Sequence, residues 1–301
     1  MFRLSSVQRR CPNTSQCFLI LRANRRTRRS IADEQLPGQR PLAIAPTFAH
    51  AVQLQRDRHY RDVHGQFFVE GVRSFVAAVD QGATIDALLY SERLLIAPLA
   101  RKLVRRLKRA GVPFARVSPE QFRSVSRAER ASGVAAVVRQ QVRDLAHVAP
   151  GDGPYWVVLT HVRTPGNLGT LVRTAAAVGA AGFILLGQSV DPFDPAVVRA
   201  SMGALFQQSF VRASMAQLRD WAQQHHLQVV GASPDGTVAF DQLHYTHPTL
   251  LLLGEERRGL SAEQRALCQQ LVRIPMAAGV DSLNVGVAGS LLLYAIVRGV
   301  S

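Results

Sequence analysis

Five short apolar runs after Pro154, each separated from the next by a helix-like stretch, restrict the fold of this chain more than any other feature. Tyr155–Leu159 and Gly182–Leu186 are too short for helices and lack a polar face, as expected of strands buried on both sides. Residues 227–231, Thr249–Leu253 and 271–274 continue the series. Strand–helix alternation of this kind predicts a parallel sheet covered by helices, hence an α/β fold. Such sheets gather their chemistry in loops beyond the carboxyl ends of the strands. Two glycine-bearing loops of that type fall in the last fifty residues: Gly254-Glu255-Glu256-Arg257-Arg258-Gly259-Leu260, and Ser282-Leu283-Asn284-Val285 opening an apolar helix. This part of the chain reads as a cofactor pocket.

Upstream, residues 51–146 read as a smaller α/β/α unit. Strands are expected at 66–71, Ile85–Tyr90, 113–117 and 135–138, with helices at 72–81 and 97–110. Gly151, Gly153 and Pro154 mark a boundary before the larger domain, taken as 147–301. Residues 1–50 form a basic extension and linker, with Arg22, Arg25, Arg26, Arg28 and Arg29 clustered and no acid before Asp33. A disordered arm, an organelle transit peptide and an upstream start that is not the true one all fit it, the transit peptide least well. Pro37, Gly38, Pro41 and Pro46 give 36–46 the composition of a linker.

A formal net charge of +15, carried mostly by arginine, suits a polyanionic partner, nucleic acid foremost, although an arginine-biased composition with no partner also explains it. Arg101, Lys102, Arg105, Arg106, Lys108 and Arg109 share one expected helix, as a solvated face or a surface turned to RNA. No apolar run approaches the roughly 18 residues of a membrane span. Cys11, Cys17 and Cys268 lack the spacing of a disulfide or zinc framework, which suits a reducing cytoplasm. His244 and His247 have no partners at ligand spacing, so no metal is expected.

Three constellations are candidates for chemistry. In the first, 164–175, Gly166 and Gly169 are placed to present backbone N–H groups to an anion, with Arg173 about one turn into the following helix; a tight turn with a solvated arginine is the alternative. The missing third glycine makes it a poor dinucleotide fingerprint. In the second, Ser261 and Gln264 form a capping box that accounts for the helix start and leaves Glu256 free as a functional acid or a surface charge. In the third, Asp281 or Ser282 is expected to cap the last helix, whose Gly286 and Gly289 leave space for a ligand or a second subunit.

Taken together and in this order, the motifs resemble the SpoU (TrmH-type) family of the SPOUT superfamily, RNA ribose 2′-O-methyltransferases that use S-adenosylmethionine. The resemblance lies in Pro165-Gly166-Asn167-Leu168-Gly169 with Arg173, in Gly254-Glu255-Glu256 with Gly259-Leu260, and in Ile274-Pro275-Met276 followed by Ser282-Leu283-Asn284-Val285. Phe67-Phe68-Val69-Glu70-Gly71 and Ser132-Gly133-Val134 look like the ribosomal-protein-like RNA-binding domain that many members carry. The resemblance implies a SPOUT-type parallel-sheet domain with a deep trefoil knot, a rare exception to unknotted topology. It also implies a homodimer, with S-adenosylmethionine held at Gly254, Ile274 and Leu283. Asn167, Arg173, Glu256, Ser282 and Asn284 become the catalytic set, with Arg173 at the ribose hydroxyl. A guanidinium stays protonated in proteins, so its expected work is to bind phosphate and steady the developing alkoxide. The expected substrate is ribosomal RNA; transfer RNA, or a non-catalytic role in ribosome assembly, is the alternative. Two positions depart from the family pattern, Gly286 where a serine is usual and Ala295 where an acid often follows the tyrosine.

Overall fold

The computed structural model describes residues 44–299 apart from His247 and Asp281; the basic extension, with Cys11 and Cys17, lies outside the described residues. The smaller unit opens with α1 (Ile44–Arg56) and α2 (Arg58–His64). Residues 44–46, expected as linker, are the first turn of α1, where Pro46 costs nothing because first-turn N–H groups have no helical partner. Then follow β1 (Gln66–Glu70), α3 (Val72–Asp80), β2 (Ile85–Tyr90), α4 (Pro98–Arg109), β3 (Phe114–Arg116), α5 (Pro119–Val125) and β4 (Val134–Arg139). Sheet order is β1-β4-β2-β3, with β4 antiparallel to both neighbours and β2 parallel to β3. Ala100, Leu103 and Val104 turn the apolar stripe of α4 inward, which leaves Lys102, Arg105, Arg106 and Arg109 in solvent.

The larger unit comprises β5 (Arg143–Asp144), β6 (Tyr155–Leu159), α6 (Pro165–Val178), β7 (Gly182–Leu186), α7 (Pro195–Ala200), β8 (Ser209–Ala213), α8 (Met215–Gln224), β9 (Gln228–Ala232), β10 (Val238–Ala239), β11 (Thr249–Leu253), α9 (Ala262–Leu267), β12 (Gln270–Arg273) and α10 (Val285–Gly299). Its sheet runs β10-β12-β9-β11-β6-β7-β8-β5, and the pairings among the described residues are parallel. β6, β7 and β11 are wholly buried, as their unbroken apolar runs require. β11 lies beside β6; the chain leaves β6 toward β7 on one side and leaves β11 toward β12 on the other. The β6/β11 boundary is therefore a topological switch point, and a crevice opens at its carboxyl edge.

The glycines of α10 were expected to leave room for a ligand or a second subunit; the protein's own chain fills that room. A Cβ on Gly289 would lie 2.4 Å from Leu171 and 2.7 Å from Leu253, and one on Gly286 would lie 3.2 Å from the Asn167 carbonyl oxygen. The small residues thus let α10 settle onto α6 within one protomer.

The two sheets share one core, in which Phe67 of β1 packs against Phe193 with ring centroids 4.8 Å apart. Beside it Arg61, only 3% exposed, binds Asp191 at 2.5 Å and donates to the Leu54 carbonyl at 2.8 Å. Arg58 reaches the carbonyls of Ser189 and Val190, and Arg199 reaches that of Arg127. Arg212 is close to this group, and its guanidinium pKa is lowered, first by burial and then by the Arg58 charge.

Candidate active site

The loops beyond β6 and β11, together with the start of α10, meet at the switch point through one chain of hydrogen bonds. Asn167 Nδ2 donates to Glu256 Oε1 at 2.6 Å, and Asn284 Nδ2 donates to Asn167 Oδ1 at 2.8 Å. Asn284 Oδ1 in turn accepts from the backbone N–H groups of Gly286 at 2.9 Å and Val287 at 3.3 Å. Chemistry sets the direction of this chain. A carboxylate only accepts and a helix N-terminus only donates, so each amide between them has a single satisfying orientation. The cap of α10 is therefore Asn284 rather than Ser282. Farther along, the Thr174 and Ser290 hydroxyls meet at 2.8 Å, and Ser290 also donates to the Gly286 carbonyl at 2.7 Å.

Local structure explains each placement. Pro165, Gly166 and Asn167 form the first turn of α6 rather than a loop ahead of it. Gly169 is a packing glycine, since a Cβ there would lie 2.4 Å from that of Ala200. Gly254 ends β11 where Glu255 and Gly259 exchange backbone hydrogen bonds of 3.0 and 2.9 Å. A Cβ on Gly254 would lie 2.2 Å from the Gly259 carbonyl carbon, so glycine is required to close the turn that carries Glu256.

Asn167, Glu256 and Asn284 come together as a unit; the other expected residues stand outside it. Arg173 was placed one turn into its helix; it lies more than two turns in, about 9 Å along the axis from Asn167. It is exposed and makes no hydrogen bond or ion pair among the described residues. Ser282 is exposed and likewise outside the network. Gly254, Ile274 and Leu283 lie at the end of β11, just past β12 and just before α10. In the segment between the last two, Met276, Val280 and Leu283 are 36%, 48% and 37% exposed. His161, Arg163, Arg257 and Arg258 were not singled out from sequence, yet they line a cavity of about 320 Å³ together with Glu255 and Glu256. The adjacent arginines in an end-of-strand loop were the available signal.

Replacing Asn167 with aspartate removes the donor facing Glu256 and sets two carboxylates against each other. We expect a loss of about 1–3 kcal/mol in a urea titration, the cost of orphaning a desolvated polar group, and a fall in any activity the site supports.

Residues 154–294 match the SpoU rRNA Methylase family, and residues 50–136 match an MRM3-like substrate binding domain. The chain belongs to the SpoU rRNA methylase family. It is 34% identical to a 23S rRNA (uridine(2479)-2′-O)-methyltransferase of Streptomyces viridochromogenes over 80% of this chain and 86% of that one. Among solved structures it resembles an AdoMet-bound rRNA methyltransferase from Sinorhizobium meliloti, with a TM-score of 0.78 and 31% identity over 86% of this chain and 97% of that one. It also resembles the SpoU methyltransferase AviRb from Streptomyces viridochromogenes in complex with AdoMet, with a TM-score of 0.74 and 32% identity over 84% and 97% of the two chains.

Proposed function

We propose that this protein methylates a ribose 2′-hydroxyl of ribosomal RNA in the cytoplasm, with S-adenosylmethionine as donor. The observation that carries the reading is the Glu256–Asn167–Asn284 chain, which ties the three motif segments together at the switch point. Gly254, Ile274 and Leu283 hold the cofactor, which when bound supplies an electrophilic methyl group on a sulfonium. The protein's remaining work is to orient the hydroxyl and stabilise its oxygen as the proton leaves. Arg173, its donors unspent on the protein, binds the substrate phosphate and steadies the developing alkoxide, and the proton departs through that phosphate or water. Asn167 and Asn284 hold Glu256 in one orientation, and Ser282 and Glu256 position the ribose.

The division into a smaller unit that grips RNA and a larger one that carries the reaction belongs to the same reading; the expected boundary at 146/147 shifts to just before β5, whose Arg143 and Asp144 pair with β8 of the larger sheet. The knot that the family resemblance implies for the larger unit belongs to that reading too. The homodimer rests on α10, where Val287, Leu291, Tyr294 and Val297 are 47%, 39%, 52% and 40% exposed along one side of the helix. Sedimentation equilibrium is expected to give twice the chain mass; a single-chain mass at micromolar concentration removes the dimer.

The enzymatic reading is tested with methyl-labelled S-adenosylmethionine and rRNA from cells lacking the gene, followed by mapping of 2′-O-methyl sites. Transfer to one nucleotide is expected. Calorimetric binding of NAD in place of S-adenosylmethionine, or the absence of transfer, overturns it.

A further inference from the structure

The cavity beside Glu256 is left over once the hydrogen-bonded chain has been assigned its work. Its walls come from two loops at the carboxyl ends of adjacent strands: His161 and Arg163 follow β6, and Glu255 through Arg258 follow β11. About 320 Å³ places it at the lower end of the range for small-ligand sites. Arg163, Arg257 and Arg258 are exposed, and among the described residues none of the three forms an ion pair, although two carboxylates line the same cavity. One of those carboxylates, Glu256, already accepts from Asn167. Three unspent guanidinium forks around one concavity fit an anion with several oxygens, and bidentate arginine contacts favour phosphate. The N-terminus of α6, which starts two residues after Arg163, adds its partial positive charge to the same rim.

We propose that this cavity is a subsite for an RNA backbone phosphate next to the target ribose, gripped by Arg163, Arg257 and Arg258. The inference rests on the RNA methyltransferase reading and deepens it, because it separates two anion contacts. Arg173 attends the reacting nucleotide, whereas the cavity holds the neighbouring phosphodiester and fixes the register of the strand across Asn167 and Glu256. Its grip is on the backbone, so it adds affinity without reading the base.

The test uses the full-length chain and unmodified rRNA from cells lacking the gene. Binding is measured by filter retention from about 50 to about 200 mM salt, the range over which phosphate contacts reveal themselves. The triple variant Arg163→Gln/Arg257→Gln/Arg258→Gln is expected to bind RNA about tenfold more weakly. Its plot of log affinity against log salt should be shallower by roughly 0.7 to 0.9, the contribution of the single phosphate contact that is lost. Calorimetric affinity for S-adenosylmethionine should be unchanged. Arg257→Gln alone, checked for an unaltered thermal midpoint, should lower the slope by part of that amount, and Arg257→Lys should keep it. An RNA affinity and slope equal to those of the unmodified protein overturn the subsite. So does a parallel loss of S-adenosylmethionine binding, which would make the cavity part of the cofactor pocket. The salt slope is read without methyl transfer, so failure of the enzymatic reading shows separately, as wild-type protein that binds RNA and transfers no methyl group.

Discussion

Replacing Arg173 with alanine is expected to lower methyl transfer to RNA by about 10²- to 10³-fold, the usual cost of removing one donor aimed at a developing oxyanion. Thermal stability should be unchanged, because the side chain is exposed and makes no hydrogen bond or ion pair among the described residues. That separation is what distinguishes a group waiting for substrate from one that holds the fold. Arg173→Lys keeps the charge and loses the planar fork, so it should recover only part of the rate. Single-turnover transfer with saturating S-adenosylmethionine reads the effect directly, and near-normal transfer by Arg173→Ala would sink the assignment.

Replacing Arg61 with alanine should cost about 3–5 kcal/mol, the penalty for breaking a buried ion pair by removing one partner. Arg61 is 3% exposed and Asp191 11%, so the abandoned carboxylate is poorly placed to recover its hydration. Arg58 stands 4.0 Å from Asp191, too far to replace a 2.5 Å contact, and the Leu54 carbonyl loses its donor as well. For a unit of this size the melting midpoint should fall by roughly 10 °C. The pair is not optimal even as it stands, because Arg61 Nε is buried without a partner. Arg61→Met with Asp191→Asn, which removes both charges together and keeps an acceptor for the Phe193 N–H, should therefore regain part of the loss, since no uncompensated buried charge is left. A shift of less than ~2 °C in calorimetry for Arg61→Ala would show that the shared core around Phe67 and Phe193 holds the two sheets together without this pair.

Much of the fold was legible in the sequence, and the successes and failures have physical reasons. Tyr155–Leu159, Gly182–Leu186 and Thr249–Leu253 are strands at the expected residues because a central parallel strand buries both faces and admits little but apolar side chains. The Ser261–Gln264 capping box starts α9 as read. The same Ser-x-x-Gln signature at Ser118 and Gln121 starts α5, which is easily overlooked because the helix that follows is only seven residues long. β8 escapes a sequence reading because Ser209 and Arg212 interrupt its apolar run, and the two-residue strands β5 and β10 are too short for any period. The cap of α10 falls to Asp281 or Ser282 on sequence because cap preferences cannot separate neighbouring candidates; the Asn284 contact across to Asn167 decides it.

The candidate site divides along the same line. The motifs holding Asn167, Glu256 and Asn284 could be read as loops at the ends of buried elements, because glycines, caps and apolar periods are local properties of the chain. Their meeting could not be read locally. Asn167 stands 89 residues from Glu256 and 117 from Asn284, and they touch only because β11 enters the sheet between β6 and β9. The ion pair between Arg61 and Asp191, 130 residues apart, and the convergence of Arg163 with Arg257 and Arg258 have the same origin. Local pattern sets which segments become strands, helices and turns, since those depend on near neighbours. Strand order and packing between layers depend on which buried surfaces fit together, and that choice, made by the folded chain as a whole, turned three separate motifs into one site.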